Sequence, residues 1–241
     1  MILTEDQLKE RKDKARKEEI RQNVKSHCTK IRDGIRANGS TSGERAIWEL
    51  FQNARDLSDS AEIKMTLTDK EFIFAHKGKA FTYDSLCSLV KQVSSHEKED
   101  NNSVGQYGTG FLTTHKFSRK ININGSMLIS EEPQVYVDVT SFEINRENFN
   151  DIPKFIDDMT DQIESVEKLM DTEQKSTPKD WTELHYELNE ERHNIADKAI
   201  EEAIKMMPYV LTFNDNVSRC TICSKEREIE FKKEDKATNI D

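Results

Sequence analysis

The sequence predicts an α+β fold, a two-layer sandwich in which helices cover one face of a mixed, mostly antiparallel sheet. Three observations favour this class. Helical and strand-like segments are interleaved along the 241-residue chain. Strand-like segments follow one another directly as hairpins at 61–75 and 120–144, whereas a doubly wound parallel sheet alternates strands with helices. The segment 44–58 has the apolar period of a helix that covers a sheet.

The first half of the chain is expected to contain a helical arm, a core helix and a hairpin. Residues 1–42 combine many charges with scattered apolar positions, which predicts an arm that packs on the domain or on a partner. Alternating apolar and polar residues predict strands at 61–68 and 71–75. After a loop, a helix is expected over 82–93, with Thr82 as its N-cap residue.

The second half is expected to add further strands and two helical segments. A polar helical excursion is predicted at about 146–178, and alternation predicts a strand at 181–188. The segment 194–207 predicts a helix that ends at Pro208, because proline lacks the N–H group that a helix interior uses. The YVLTFN stretch that follows is expected to be the last core strand.

These elements suggest three parts. Residues 43–223 are expected to form one domain, preceded by the helical arm 1–42. Residues 224–241 are expected to be a charged tail that begins a linker to domains absent from this sequence.

The composition limits the class of protein. Apolar and charged residues each make up 34% of the chain, and no stretch has the roughly 20 apolar residues that cross a bilayer. The N-terminus has no signal-peptide pattern, so we expect a cytoplasmic protein without a membrane partner. The formal net charge of -10 argues against a general nucleic-acid surface.

The four cysteines are too few and too dispersed for a disulfide framework. Cys220 and Cys223 form a C-x-x-C pair. Half of a metal site and two ordinary thiols in a strand are both compatible with this pair, and no second ligand pair at suitable spacing is evident.

One flank of the helix 44–58 carries Glu49, Asn53 and Asp56 at positions i, i+4 and i+7. This spacing places the three side chains within an arc of roughly 60° beside the apolar stripe. An amide oxygen can bind Mg²⁺, and a carboxylate can act as a general base. An ordinary polar helix face gives the same pattern.

The stretch SVGQYGTGFLTTHKF, residues 103–117, has three glycines in six positions and then becomes apolar. A glycine-rich loop that leads into a helix can bind phosphate through backbone N–H groups. It can equally be a tight turn. The polar segment before it, 94–104, is expected to be a surface loop.

The order of these motifs resembles that of the GHKL ATPases, which include gyrase, the ninety-kilodalton heat-shock chaperones, histidine kinases and MutL. ELFQNARD at 49–56 matches their N box, E-x-x-x-N-x-x-D, and Glu49 is the first residue of this motif. VGQYGTGF at 104–111 is similar to their second glycine box, and WTELHYEL at 181–188 contains the late threonine. The resemblance covers about residues 43–215 and implies the Bergerat type of two-layer sandwich.

HKGKAFT at 76–82, followed by the glycine box, most resembles the sacsin-like bacterial branch of this superfamily. Where the wider family has an aspartate that accepts the adenine amino group, this chain has His76. A neutral imidazole nitrogen can also accept that hydrogen bond.

The resemblance implies a role for each matching residue. Glu49 would be the general base and Asn53 the Mg²⁺ ligand, while residues 94–104 would form a lid. The base pocket would be lined by Asp56, His76, Gly78 and Thr182. The phosphates would be wrapped by Gly105, Tyr107, Gly108, Thr109, Gly110 and Phe111. His115 and His96 are expected to have no catalytic role.

The function that the resemblance implies is Mg-dependent binding of ATP or ADP, with slow ATP hydrolysis that acts as a conformational switch. The chain would be the N-terminal part of a longer chaperone-like or defence-type protein. A homodimer through the N-terminal segment of that full-length protein is compatible with this class. The alternatives are a non-hydrolysing nucleotide-binding module and, less favoured, the catalytic domain of a protein histidine kinase.

Overall fold

The structure is a computed structural model that describes residues 4–40, 42–92, 109–225 and 227–233. The helices are α1 (Glu5–Ala37), α2 (Gly43–Asp56), α3 (Tyr83–Lys91), α4 (Ile152–Leu169) and α5 (Glu190–Phe213), with 3-10 helices at Asn38–Ser40 and Thr109–Lys116. The strands are β1 (Ala61–Leu67), β2 (Glu71–His76), β3 (Phe81–Thr82), β4 (Lys120–Glu131), β5 (Gln134–Asn145), β6 (Gln174–Lys175), β7 (Thr182–Glu187), β8 (Val217–Ser224) and β9 (Arg227–Lys232).

All of these strands belong to one sheet with the order β6-β5-β4-β7-β2-β1-β8-β9, and β3 pairs with β4. The β1–β8 and β3–β4 pairs are parallel, and the other pairs are antiparallel. The predicted α+β class with a mixed, mostly antiparallel sheet is therefore confirmed.

The helices and one face of the sheet share a single hydrophobic core. Along β1 every second side chain, from Ala61 to Leu67, is buried in this core, while Lys64 on the opposite face is exposed. Helix α2 contributes Ile47, Leu50 and Ala54 to the same core. These two periods, two residues in the strand and 3.6 in the helix, are those that the sequence showed.

The predicted N-terminal helix is confirmed as α1, and its second half is part of the core. Val24, Cys28 and Ile31 are buried there. Further towards the N-terminus, exposed cations of α1 pair with acidic residues of α4: the Arg16 guanidinium lies 2.7 Å from Glu167, and Lys17 Nζ lies 2.7 Å from Asp161. The arm thus packs on its own domain, against α4.

Helix α4 confirms a helix within the segment 146–178, and it is amphipathic. It buries five apolar side chains, which are Phe155, Ile156, Met159, Ile163 and Val166. Its acidic outer positions pair with cations of α1, and its buried Met159 contacts Cys28, so α4 joins the arm to the rest of the fold.

Two predictions for the C-terminal region are wrong. Helix α5 continues through Pro208 to Phe213, so the expected strand after Pro208 is helical. The reason is that the apolar stripe of α5 does not stop at the proline: Ala203, Met207 and Leu211 are buried at helical spacing on both sides of it. This packing outweighs the local loss of one backbone hydrogen bond.

The second error concerns the charged segment after residue 223, where Arg227–Lys232 forms β9 rather than only a tail. In β9, Ile229 and Phe231 lie opposite Ile222 and Cys220 of β8 and are half-buried. The intervening charged residues are those of an edge strand with a solvent-exposed face.

Cys220 and Cys223 are free thiols on opposite faces of β8. Cys220 is level with Ile63 and lies in the core, whereas Cys223 is level with Thr66 and lies beside Glu228 on the other face. Two thiols that project to opposite faces of a sheet cannot bind one metal ion, so the interpretation as ordinary strand thiols holds.

Among the residues that the structure describes, no helix is long and apolar enough to cross a membrane.

The predicted cap of α3 allows a test of the fold. The Thr82 hydroxyl accepts a hydrogen bond from the Ser85 N–H group at 3.1 Å, and the Ser85 hydroxyl accepts one from the Thr82 N–H group at 2.8 Å. Because α3 packs on the core, we expect Thr82→Ala to lower the free energy of unfolding by about 1 kcal/mol in urea titrations. The control is Thr4→Ala, which removes the cap of the exposed first turn of α1. An effect of Thr82→Ala no larger than that of Thr4→Ala would contradict this prediction.

Candidate functional site

The polar flank of α2 is partly shielded from solvent. Asn53 is 5% exposed, and the side chains of Glu49 and Asp56 are 21% and 10% exposed. The Asp56 Oδ1 atom accepts hydrogen bonds from Arg55 at 3.0 and 2.8 Å. Its second oxygen, Oδ2, is buried without a hydrogen-bond partner among the described residues. Among the described residues, Asp56 is therefore held through one oxygen only.

The sheet brings His76 and Thr182 together beneath this flank. The two residues are direct partners in the antiparallel β2–β7 pair, and both side chains are buried on the helix-covered face. Gly125 of β4 lies next to Thr182, since a Cβ atom at Gly125 would be 3.2 Å from Thr182 Oγ1. The absence of a side chain at Gly125 leaves the threonine hydroxyl uncovered on that side.

The loop after β2 is tied to the end of α2. Leu57, which follows Asp56, accepts a hydrogen bond from the Lys79 N–H group at 3.0 Å. A Cβ atom at Gly78 would be 3.1 Å from the Leu57 carbonyl oxygen and 3.3 Å from His76 Nδ1. The structure thus brings Gly78 and His76 to the end of α2 that carries Asp56.

His76 is 2% exposed, and its Nδ1 atom has no hydrogen-bond partner among the described residues. Burial lowers the pKa of the imidazole from 6.5 to about 4. At neutral pH the ring is therefore uncharged, and one ring nitrogen is a donor while the other is an acceptor. A ligand with a complementary polar group could satisfy Nδ1.

At the other end of the flank, the 3-10 helix Thr109–Lys116 packs against α2. We call it the Gly110 helix. A Cβ atom at Gly110 would overlap the carboxylate of Glu49, so the two elements can approach this closely only with glycine at this position. Glu49 Oε1 also lies 3.7 Å from the Arg45 guanidinium. Gly110 and Glu49 are therefore direct neighbours.

Of the other predicted phosphate-binding residues, the structure describes Thr109 and Phe111. Phe111 is buried in the hydrophobic core, so any contact of this residue with phosphate would be made by its backbone. Thr109 is the first residue of the Gly110 helix. Gly105, Tyr107, Gly108, the expected lid 94–104 and His96 lie outside the described residues.

His115 lies in the last turn of the Gly110 helix, five residues after Gly110, and is buried. Its ring contacts Gln92 and the Ser118 carbonyl group. Gln92 and the fully buried Arg146 were not predicted from the sequence. No sequence pattern marks them, because their partners come from distant parts of the chain.

In the described part of the chain, no three His, Cys, Asp or Glu side chains are placed so that they could bind a metal ion together. An amide oxygen is a type of ligand that Mg²⁺ accepts, and the buried Asn53 carries one between Glu49 and Asp56 on the flank.

Comparison with known proteins gives no family assignment. No protein-family model matches the chain, and no curated protein matches it.

The contact between Gly110 and Glu49 can be tested by a double-mutant cycle. We expect Gly110→Ala to lower the free energy of unfolding by about 1–3 kcal/mol, because the new methyl group overlaps the Glu49 carboxylate. In the Glu49→Ala background the same substitution should cost at least about 1 kcal/mol less. Gly39→Ala is the matched control, since nothing lies within 4 Å of its added Cβ atom. Additive effects of Gly110→Ala and Glu49→Ala would show that the two residues are not in contact.

The burial of His76 predicts a specific pH dependence of stability. The folded state resists protonation down to a pKa of about 4, whereas the unfolded chain binds the proton near 6.5. His76 therefore contributes stability above pH 6.5 that is lost as the pH falls to 4, up to about 3 kcal/mol. We expect the stability of His76→Gln to fall less than that of wild type over this range in urea titrations.

The control for this experiment is Phe74→Leu, which alters the preceding inward-facing residue of β2 without changing a titratable group. It should lower stability by a similar amount at each pH. Identical pH profiles for His76→Gln and wild type would mean that His76 is not held neutral by the fold.

Proposed function

We propose that this chain is a Mg-dependent ATP-binding domain that hydrolyses ATP slowly and uses the nucleotide as a conformational switch. The observation that carries the proposal is that the two ends of the α2 flank offer different chemical groups. At one end, His76 Nδ1 and Asp56 Oδ2 are buried without partners among the described residues. At the other end, Glu49 adjoins the backbone of Gly110.

The Asp56 end would bind the base. The adenine amino group donates hydrogen bonds, and Asp56 Oδ2 and a neutral His76 Nδ1 can both accept them. Thr182, level with His76, offers a hydroxyl group that can donate or accept. Gly78 keeps the space beside His76 open. Asp56 Oδ2 and His76 Nδ1, which have no partner among the described residues, would thus each gain one when the nucleotide binds.

The Glu49 end would bind the phosphates and carry out hydrolysis. Glu49 and Asp56 are seven residues apart, which is about 10 Å along the helix axis and suits a base at one end and phosphates at the other. The Asn53 amide would hold Mg²⁺, which neutralises phosphate charge when bound. Glu49 would orient the attacking water and accept its proton. Arg45, 3.7 Å from Glu49, would keep the carboxylate oriented.

The proposal includes the wider role that the family resemblance implies. The domain would work in the cytoplasm, as the N-terminal part of a longer chaperone-like or defence-type protein, with a homodimer through its N-terminal segment. Nucleotide binding would then be read by parts of the protein outside this chain, because a switch needs an element that responds to it.

Calorimetry with ATP and ADP, with and without Mg²⁺, tests the binding step. We expect wild type to bind ATP, and Asn53→Ala to lower the affinity for Mg-ATP at least about tenfold while changing metal-free binding less, because the amide is proposed to act through the ion. Asn124→Ala, on the opposite face of the sheet, is the control. No binding of ATP or ADP at millimolar concentration would reject the proposal.

Single-turnover hydrolysis tests the role of Glu49. Glu49→Gln keeps the shape of the side chain and removes the base, so ATP should still bind while the rate falls by about a hundredfold or more. Glu44→Gln, in the first turn of the same helix, should hydrolyse ATP at the wild-type rate. If wild type binds ATP but does not hydrolyse it even at high protein concentration, the domain is a non-hydrolysing nucleotide-binding module.

A further inference from the structure

A buried polar cluster lies at the C-terminal end of the Gly110 helix. Gln92 Nε2 is 2.6 Å from His115 Nε2, and His115 Nδ1 is 3.2 Å from the Ser118 carbonyl oxygen. Gln92 is 5% exposed and His115 is 1% exposed. The cluster joins the residue that follows α3 to the end of the Gly110 helix, across the sixteen residues 93–108 that lie outside the described part.

The chemistry of the cluster determines which group donates to which. Burial lowers the pKa of His115 well below 6.5, and the positive charges of Arg146 and Arg119 lower it further, so the ring is neutral. A carbonyl oxygen can only accept, so Nδ1 carries the hydrogen and donates to Ser118. His115 Nε2 is then the acceptor, and the Gln92 amide donates to it.

Arg146 fixes the other side of the cluster. Its guanidinium is fully buried and donates to the carbonyl oxygen of Val90, to Gln162 Oε1 at 2.9 Å and to its neighbour's carbonyl oxygen at 3.1 Å. No ion pair of the described residues includes Arg146. The Val90 carbonyl group, in the last turn of α3, supplies partial negative charge instead, so the arginine holds the end of α3 in place.

The backbone of Gln92 shows that this contact is specific. Gln92 ends α3 with φ at 48°, in the left-handed region where glycine is the usual residue. A glutamine at such a C-terminal position is unfavourable for the backbone. Its side chain compensates because it reaches His115, which glycine could not do.

We propose that Gln92, His115 and Arg146 are positioning residues that hold the Gly110 helix in register with α2. His115 and Gly110 lie on the same short helix, five residues apart, so a shift of His115 is passed along that helix to Gly110. The Glu49 carboxylate occupies the space that a Cβ atom at Gly110 would fill. Gln92, His115 and Arg146, which we call the clamp, therefore set the distance between the glycine backbone and the Glu49 carboxylate. The relevance of this distance to hydrolysis rests on the proposed function.

The clamp is tested with two variants of one residue. Gln92→Ala removes the hydrogen bond and keeps the unfavourable backbone angle, whereas Gln92→Gly removes the hydrogen bond and relieves the angle. Gln92→Gly should therefore have a higher melting temperature than Gln92→Ala. Both should lower kcat for ATP at least tenfold and change KM less than threefold, because the clamp acts on the Glu49 end and leaves the His76 end in place.

Ile163→Val is the control for a general loss of stability, because it removes one methyl group from the α4 core. It should lower the melting temperature and leave kcat unchanged. A purely structural role for Gln92 would give the same pattern as Ile163→Val. A kcat of Gln92→Gly within twofold of wild type would therefore overturn the proposed effect on hydrolysis.

A second measurement needs no nucleotide and separates this proposal from the proposed function. In nitrogen NMR spectra at neutral pH, His115 should show the tautomer with hydrogen on Nδ1. Gln92→Gly should shift the backbone amide signals of Gly110 and Glu49, and Ile163→Val should not. If these signals stay at their wild-type positions, the positioning role is wrong whether or not the protein binds ATP. If they shift in a protein that binds no ATP, the clamp stands and the proposed function fails.

Discussion

The candidate site depends on one close approach, that of the Gly110 backbone to the Glu49 carboxylate. Any side chain at position 110 would push the Gly110 helix away from α2. The approach places backbone groups, which have a fixed geometry, next to a carboxylate on a helix whose apolar face is packed in the core. The positions of the other flank residues relative to this contact are set by the helix, because Asn53 and Asp56 occupy the next two turns after Glu49.

The sheet supplies the second half of the site through its strand order. Chain connections alone would place β7 far from β2, since more than a hundred residues separate His76 from Thr182. Their antiparallel pairing in the sheet brings the two side chains level, on the face that α2 covers. The parallel β1–β8 pair on the other side of β2 closes the core around this position. The site is thus built from one local helix and one long-range strand pair.

How far the sequence predicts this arrangement depends on how far apart along the chain the interacting residues lie. The α2 flank and the hairpins could be read from the sequence because their periods are local properties of the chain. Pro208 was misleading because tertiary packing of α5 overrides a local helix breaker. The strand β9 was missed because its charges belong to an exposed edge. Arg146 and Gln92 could not be found at all, since a buried cation with only neutral partners leaves no pattern in sequence.

His76 stands where the GHKL resemblance would lead one to expect an aspartate, and this has a physical consequence for the base that the proposed site would accept. A neutral imidazole can present Nδ1 either as a donor or as an acceptor, depending on its tautomer. Alone, His76 would thus suit the amino group of adenine and the carbonyl group of guanine equally well. Asp56 Oδ2 is a carboxylate oxygen, which accepts but does not donate in its ionised form. A guanine carbonyl oxygen would face this acceptor without a hydrogen between them, whereas an adenine amino group can donate to it. Selectivity for adenine would therefore rest on Asp56, with the tautomer of His76 adjusting to the base that Asp56 selects.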